Sequence, residues 1–172
     1  GYSLFVGLLH LAINLPLPYT TPAFRANLVS ATAAALSLAI FTMLTRQLYL
    51  TLTPSKNRYP AVYVFAVVST LLAVAFNQQV WLYAQITEKY IFAAPFIMSM
   101  IYLGYQILTK KKIHPSTFLL FGLAYGLGLG HHQSLIFLLP FFLFIAFRNI
   151  GWSLGGLLAG ISVTVLLLWL QI

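Results

Sequence analysis

The chain has 172 residues, 61% of them hydrophobic and only 6% charged, with a mean hydropathy of +0.94. A water-soluble domain of this length could not hide so much apolar surface, which excludes the soluble globular class and places the chain in a bilayer. A net charge of +8 does not indicate nucleic acid here, because the basic residues fall between apolar runs rather than along one face, and the lack of cysteine excludes disulfides, iron–sulfur clusters and thiol catalysis.

In chain order, Gly1 opens the sequence without a Met or a basic leader, so the start does not read as a signal peptide, and Ile172 falls inside an apolar run. A piece of a longer membrane protein is expected. Residues 3–13 are apolar for about half the roughly 20 residues a crossing needs, and Asn14, Pro16 and Pro18 end the run. A short interfacial helix is predicted there. Thr21 can cap the next helix and Pro22 suits its first turn. Membrane spans are predicted over 24–48, 60–76 and 90–108. The stretch 118–147 is too long for one upright helix, and Gly126, Gly128, Gly130, His131 and His132 interrupt its middle. It reads as two short spans, 117–130 and 133–147, meeting at a turn near 130–133, with a last span at 152–172. The runs are continuously apolar rather than alternating, which favours helices over a barrel. The expected fold is therefore one all-α integral membrane domain over 1–172, with about six transmembrane helices after the interfacial one.

Threading these spans alternately brings Arg46, Lys56, Arg58, Lys110, Lys111, Lys112 and Arg148 to one side and leaves Arg25 and Lys89 on the other. Short loops rich in Lys and Arg stay cytoplasmic, so the larger group marks the inside. The Lys110 to Lys112 cluster is such a topology signal and a contact for anionic lipid head groups. The non-cytoplasmic face collects residues 3–13 with the loop after them, Arg25, the stretch 77–89 and the turn at 130–133.

Candidate chemistry concentrates on that face. Glu88 is the single acidic residue; it could act as a base or orient a substrate, or simply favour the positive end of the helix beginning near Tyr90. Trp81, Tyr83 and Tyr90 suit an interfacial aromatic belt as well as a ligand site. His131 and His132, as neighbours on a helix, would point about 100° apart, and no cysteine or second carboxylate exists to complete a metal shell. No metal site is assigned. Contact with a phosphate or hydroxyl at the helix break, or a structural role satisfying backbone groups at the turn, are the two readings for this pair. Arg25 could bind a lipid phosphate or snorkel at the interface. Glycines 122, 126, 128 and 130 follow no strand, so a nucleotide loop fails its context; the pairs Gly122 with Gly126, Gly151 with Gly155 and Gly156 with Gly160 instead permit close helix packing.

Three stretches together resemble one family. They are Gly1-Tyr2-Ser3-Leu4-Phe5 followed by Pro22-Ala23-Phe24-Arg25-Ala26-Asn27-Leu28-Val29-Ser30-Ala31; residues 81–90 with Glu88 and Tyr90 in a Glu-x-Tyr pattern; and 126–140 with Leu127-Gly128-Leu129-Gly130-His131-His132. In order and spacing they resemble the polytopic glycosyltransferases of the GT-C superfamily, in the branch of protein O-mannosyltransferases related to the plexin-modifying enzyme. In that branch Asn-His is commoner than the His-His found here. The resemblance covers most of 1–148. It implies a GT-C-like fold and an inverting transfer of a hexose, mannose among the candidates, from a polyprenyl-phosphate donor to a protein, lipid or glycan acceptor. Membrane lipids, the lipid-linked sugar and that acceptor are the implied partners. No cofactor is assigned, and a divalent-metal requirement is left open.

By the same resemblance Glu88 is the second acidic residue of the catalytic site, the catalytic base being an acidic residue of the first outer loop. Tyr2, Arg25, Tyr90, His131 and His132 are placed near the donor or sugar, and residues 3–13 under the donor lipid. The family's other acidic residue precedes a His-Pro-Pro-Gly-Tyr-type sequence and so falls before Gly1, while Ser3 replaces the usual proline. On that basis the chain alone is expected to be inactive. The implied location is a bacterial inner membrane or the endoplasmic reticulum, with the polar site on the non-cytoplasmic face. A secondary transporter and a noncatalytic membrane scaffold are the rivals; the absence of an internal repeat and the position of the charges at helix ends speak against the former, while the small-residue pairs favour the latter.

Overall fold

A computed structural model describes residues 7, 11–12, 21–54, 59–85, 89–110, 112–148 and 162. Among these, helix is the only regular structure. Six α-helices are described: α1 (Pro22–Leu52), α2 (Pro60–Ala75), α3 (Gln78–Gln85), α4 (Lys89–Thr109), α5 (Pro115–His131) and α6 (Leu139–Arg148), with a 3₁₀ segment, Gln133–Leu138, leading into α6. The expected interfacial helix at 3–13 and the last span at 152–172 fall almost wholly outside the described residues.

Local chemistry sets the helix starts. Thr21 accepts a hydrogen bond from the Phe24 N–H at 3.3 Å, and Pro22 takes the first helical position, where its missing N–H costs nothing. Pro60 and Pro115 open α2 and α5 in the same way. His114 caps α5 through Nδ1, which accepts from the Ser116 N–H at 3.3 Å. Helix α3 falls within the stretch 77–89, which the sequence reading treats as a connection. Asn77 starts it, its Oδ1 accepting from the Gln79 N–H at 3.0 Å, and an Asn ahead of Gln-Gln-Val-Trp-Leu was the available signal.

Hydroxyl side chains inside these apolar helices turn back onto their own backbone. Thr32, Ser37, Thr42 and Thr45 of α1 donate to the carbonyls four residues earlier at 2.7 to 2.8 Å, which removes their polarity from the surroundings. The α1–α2 hairpin is pinned by Tyr49. Its hydroxyl accepts from the Tyr59 N–H at 3.0 Å and donates to the Tyr59 carbonyl at 3.4 Å, while its ring lies 4.8 Å from that of Tyr63.

Helix α4 is the centre, packing on α1 along one side and α5 along the other. The larger core, around Met100, Ile107, Phe121, Tyr125, Phe142 and Ile145, joins α4, α5 and α6. Phe142 stacks on both Tyr125 and Phe121, with centroids 4.6 and 5.4 Å away. Two glycines set the closest approaches. A methyl at Gly104 would meet the Phe141 ring at 2.6 Å; one at Gly128 would overlap the end of Leu135 and lie 3.1 Å from the Phe96 Cβ. Gly122 and Gly126, the pair expected to allow close packing, are buried in α5.

The outside is as apolar as the inside. Val67 is the one buried residue of α2, whereas Val62, Phe65 and Leu72 are 62, 75 and 51% exposed. A water-soluble amphipathic helix shows the reverse distribution. Two helices, Ala23–Leu52 and Ile91–Thr109, are long and apolar enough to cross a membrane, and Pro60–Ala75 and Gln133–Arg148 are shorter apolar ones.

Candidate functional site

Helix directions decide which polar residues can meet. Val29, Ala33 and Ala34 of α1 form one buried cluster with Ile91 and Phe92 of α4, so these two helices start at the same end of the bundle. Helix α5 runs the other way and finishes there: the His131 ring meets Phe92 edge-on, with centroids 5.6 Å apart. One end of the bundle therefore holds the first turn of α1 with Arg25, the first turn of α4 with Lys89 and Tyr90, and the junction at His131 and His132. Arg46, Lys110, Lys112 and Arg148 belong to the opposite end, by position on α1, just after α4 and at the close of α6.

Of the residues singled out from the sequence, Glu88 and Tyr2 lie outside the described residues, and for Tyr90 the structure gives the backbone, in the first turn of α4. Arg25 is half-buried, one turn before Val29. Ser30, fully buried just beyond it, donates to the Ala26 carbonyl at 3.4 Å. Phe92, which does not figure among the residues singled out from the sequence, is the contact that ties α4 to His131.

The two histidines have different jobs. His131 is the last residue of α5, whereas His132 has left the helix with an extended backbone, φ −140° and ψ 116°. The chain thus breaks between the two histidines, within the turn expected near 130–133. His132 is the cap for both sides of the break. Its N–H donates to the Gly128 carbonyl at 2.8 Å, its carbonyl accepts from the Leu135 N–H at 3.1 Å, and its Nδ1 accepts from the Ser134 N–H at 3.3 Å. An accepting Nδ1 puts the ring proton on Nε2. Because the N–H groups of residues 132, 134 and 135 are engaged within the chain, the junction is a closed cap rather than a ring of open donors for an anion. The half-buried His131 ring against Phe92 is the better-placed of the pair to meet a ligand at this end of the bundle.

Among the described residues no three His, Cys, Asp or Glu side chains gather as a metal site would require. The arrangement is instead a cationic, aromatic end with apolar helices beneath it. Two helix N-termini, each with a positive partial charge, and the guanidinium of Arg25 occupy this end, which suits an anionic head group.

A sequence model described as the Protein O-mannosyl-transferase TMEM260 N-terminal domain matches residues 1–156. The chain belongs to this family. The match to the TMEM260 N-terminal family extends over every helix described above. No curated protein and no solved structure matches the chain.

Proposed function

We propose that the chain is the membrane portion of a protein mannosyltransferase of GT-C type that moves mannose, with inversion, from a polyprenyl-phosphate donor to a protein hydroxyl on the non-cytoplasmic side of the membrane. The family match over residues 1–156 carries this reading. The clustering of the starts of α1 and α4 with the end of α5 supports it, because a lipid-borne sugar needs cations and hydrogen-bonding groups directly above apolar walls. In this reading the domain makes six crossings, and the end bearing Arg46, Lys110, Lys112 and Arg148 is cytoplasmic.

The chemistry divides among named groups. The acceptor oxygen forms a bond to the anomeric carbon as the bond from that carbon to the donor phosphate breaks on the opposite face. The acceptor's proton passes to a carboxylate of the site, in which Glu88 is the second acidic group. Arg25 neutralises the departing polyprenyl phosphate. His131, braced by Phe92, and Tyr90 hold the sugar, and Tyr2 lies beside the donor. The test is transfer of radiolabelled mannose from polyprenyl-phosphate mannose by the full-length gene product. Glu88→Gln should lower turnover by about 100-fold or more, and Arg25→Ala should raise the apparent KM for donor with the topology unchanged. Undiminished transfer by Glu88→Gln would remove that carboxylate from the site, and an unchanged donor KM in Arg25→Ala would remove the arginine.

A further inference from the structure

Below the polar end, α1, α2, α3 and α4 enclose a partly open cavity of about 230 Å³. Its walls are apolar: Ala34 and Phe41 of α1, Val74 of α2, Val80 of α3, Ala94 and Met98 of α4. The one hydroxyl on the lining, that of Ser37, is turned away into a 2.8 Å bond to the Ala33 carbonyl. Such a space offers nothing to a head group or to water. An apolar cavity of about 150 Å³ holds a benzene-sized molecule, so this one accommodates a short stretch of hydrocarbon chain, on the order of two isoprene units.

The position of the cavity says which hydrocarbon. Ala34 and Ile91 belong both to its wall and to the buried cluster whose Phe92 meets His131. The cavity thus continues directly from the candidate site towards the middle of the bundle. Ala34 lies nine residues after Arg25 on the same helix, about 13 Å along its axis, so the chain of a polyprenyl phosphate held at the Arg25 level would reach the opening within its first few isoprene units. The small side chains of Ala34 and Ala94 leave lateral room that methyl branches would fill and a straight chain would not. Val74 makes α2 one wall of the cavity, and the outer face of that helix is exposed and apolar.

We propose that this cavity seats isoprene units near the phosphate end of the lipid-linked donor; the assignment rests on the transferase reading. The experiment uses the full-length gene product in phosphatidylcholine nanodiscs and a polyprenyl phosphate carrying a diazirine on its second isoprene unit. Photolysis should label peptides covering residues 34–41 and 91–98. Ala94→Phe and Val74→Phe, which fill the space from opposite walls, should each lower that labelling about tenfold; Val74 sits on the loosely packed α2, where a larger side chain is easily accommodated. Equal labelling of the same peptides by a phosphatidylcholine with a mid-chain diazirine, or labelling by the polyprenyl probe that neither variant changes, would overturn the proposal. Transfer activity measured on the same preparation separates the two ideas: transfer without labelling here refutes the seat and leaves the transferase reading intact, whereas specific labelling without transfer supports the seat and counts against the transferase.

Discussion

Tyr125 buries its hydroxyl in the α4–α5–α6 core with no hydrogen-bond partner among the described residues. An unsatisfied buried hydroxyl is a cost that its ring stacking on Phe142 must outweigh. Tyr125→Phe keeps the stack and removes the cost. It should therefore raise stability by up to about 1 kcal/mol in detergent unfolding, and a loss of similar size would reveal a partner for that oxygen. Gly104 and Gly128 both lie against aromatic neighbours, yet they should respond differently to a methyl group. At Gly104 the obstacle is the far edge of the Phe141 ring, which can swing aside, whereas at Gly128 it includes the Phe96 Cβ, fixed to the α4 backbone. Gly128→Ala should cost about 1 to 3 kcal/mol and Gly104→Ala less. Shortening Leu135 to Ala alongside Gly128→Ala should relieve only part of that penalty, because the α4 backbone stays in place; an equal loss at the two glycines would contradict this ranking.

At the scale of elements, the junction between α5 and the 3₁₀ segment depends on one residue, His132, whose backbone N–H closes α5 and whose imidazole caps the 3₁₀ segment. His132→Ala should destabilise the protein by about 1 kcal/mol and His132→Asn by much less, since a short side-chain oxygen can take over the capping bond. Thermal unfolding of the two variants distinguishes capping from a purely ligand-binding histidine, for which both would be silent. The break between 130 and 133, the Thr21 cap and the proline starts were all legible in the sequence because each rests on a local rule about one residue. Helix α3 was not, since its Gln-Gln-Val-Trp-Leu-Tyr run is short and lies between longer apolar segments that dominate any periodicity. The paired glycines were read at spacing four within α5, while the tight contacts at Gly104 and Gly128 involve α4, α6 and the 3₁₀ segment, and no pattern within one helix encodes a neighbour. Of the candidate site, the residues were legible as types; that Phe92 rather than another aromatic braces His131, and that Ala34 and Ala94 leave a cavity, are facts of packing between helices.

For the whole molecule, the sorting of charge between the two ends follows from the alternation of helix directions. The absence of native cysteine makes this directly measurable. Single substitutions Arg25→Cys and His131→Cys should react with an impermeant maleimide from one side of a sealed vesicle, and Arg46→Cys and Lys112→Cys only from the other. Reaction of positions 25 and 131 from different sides would dismantle the shared site. The over-wound start of the final described hairpin arm bears on how the arm fits its surroundings. The arm is one of the six proposed crossings, and sixteen residues in ordinary α geometry reach about 24 Å, short of the roughly 30 Å of a lipid interior. Coiling the first six more tightly, as residues 133–138 do, stretches the arm to about 27 Å. About half of the mismatch disappears without a single added residue, so an insertion that restored a full α-helical register there would leave the arm no better matched in reach while rotating Phe142 and Ile145 out of the core they complete.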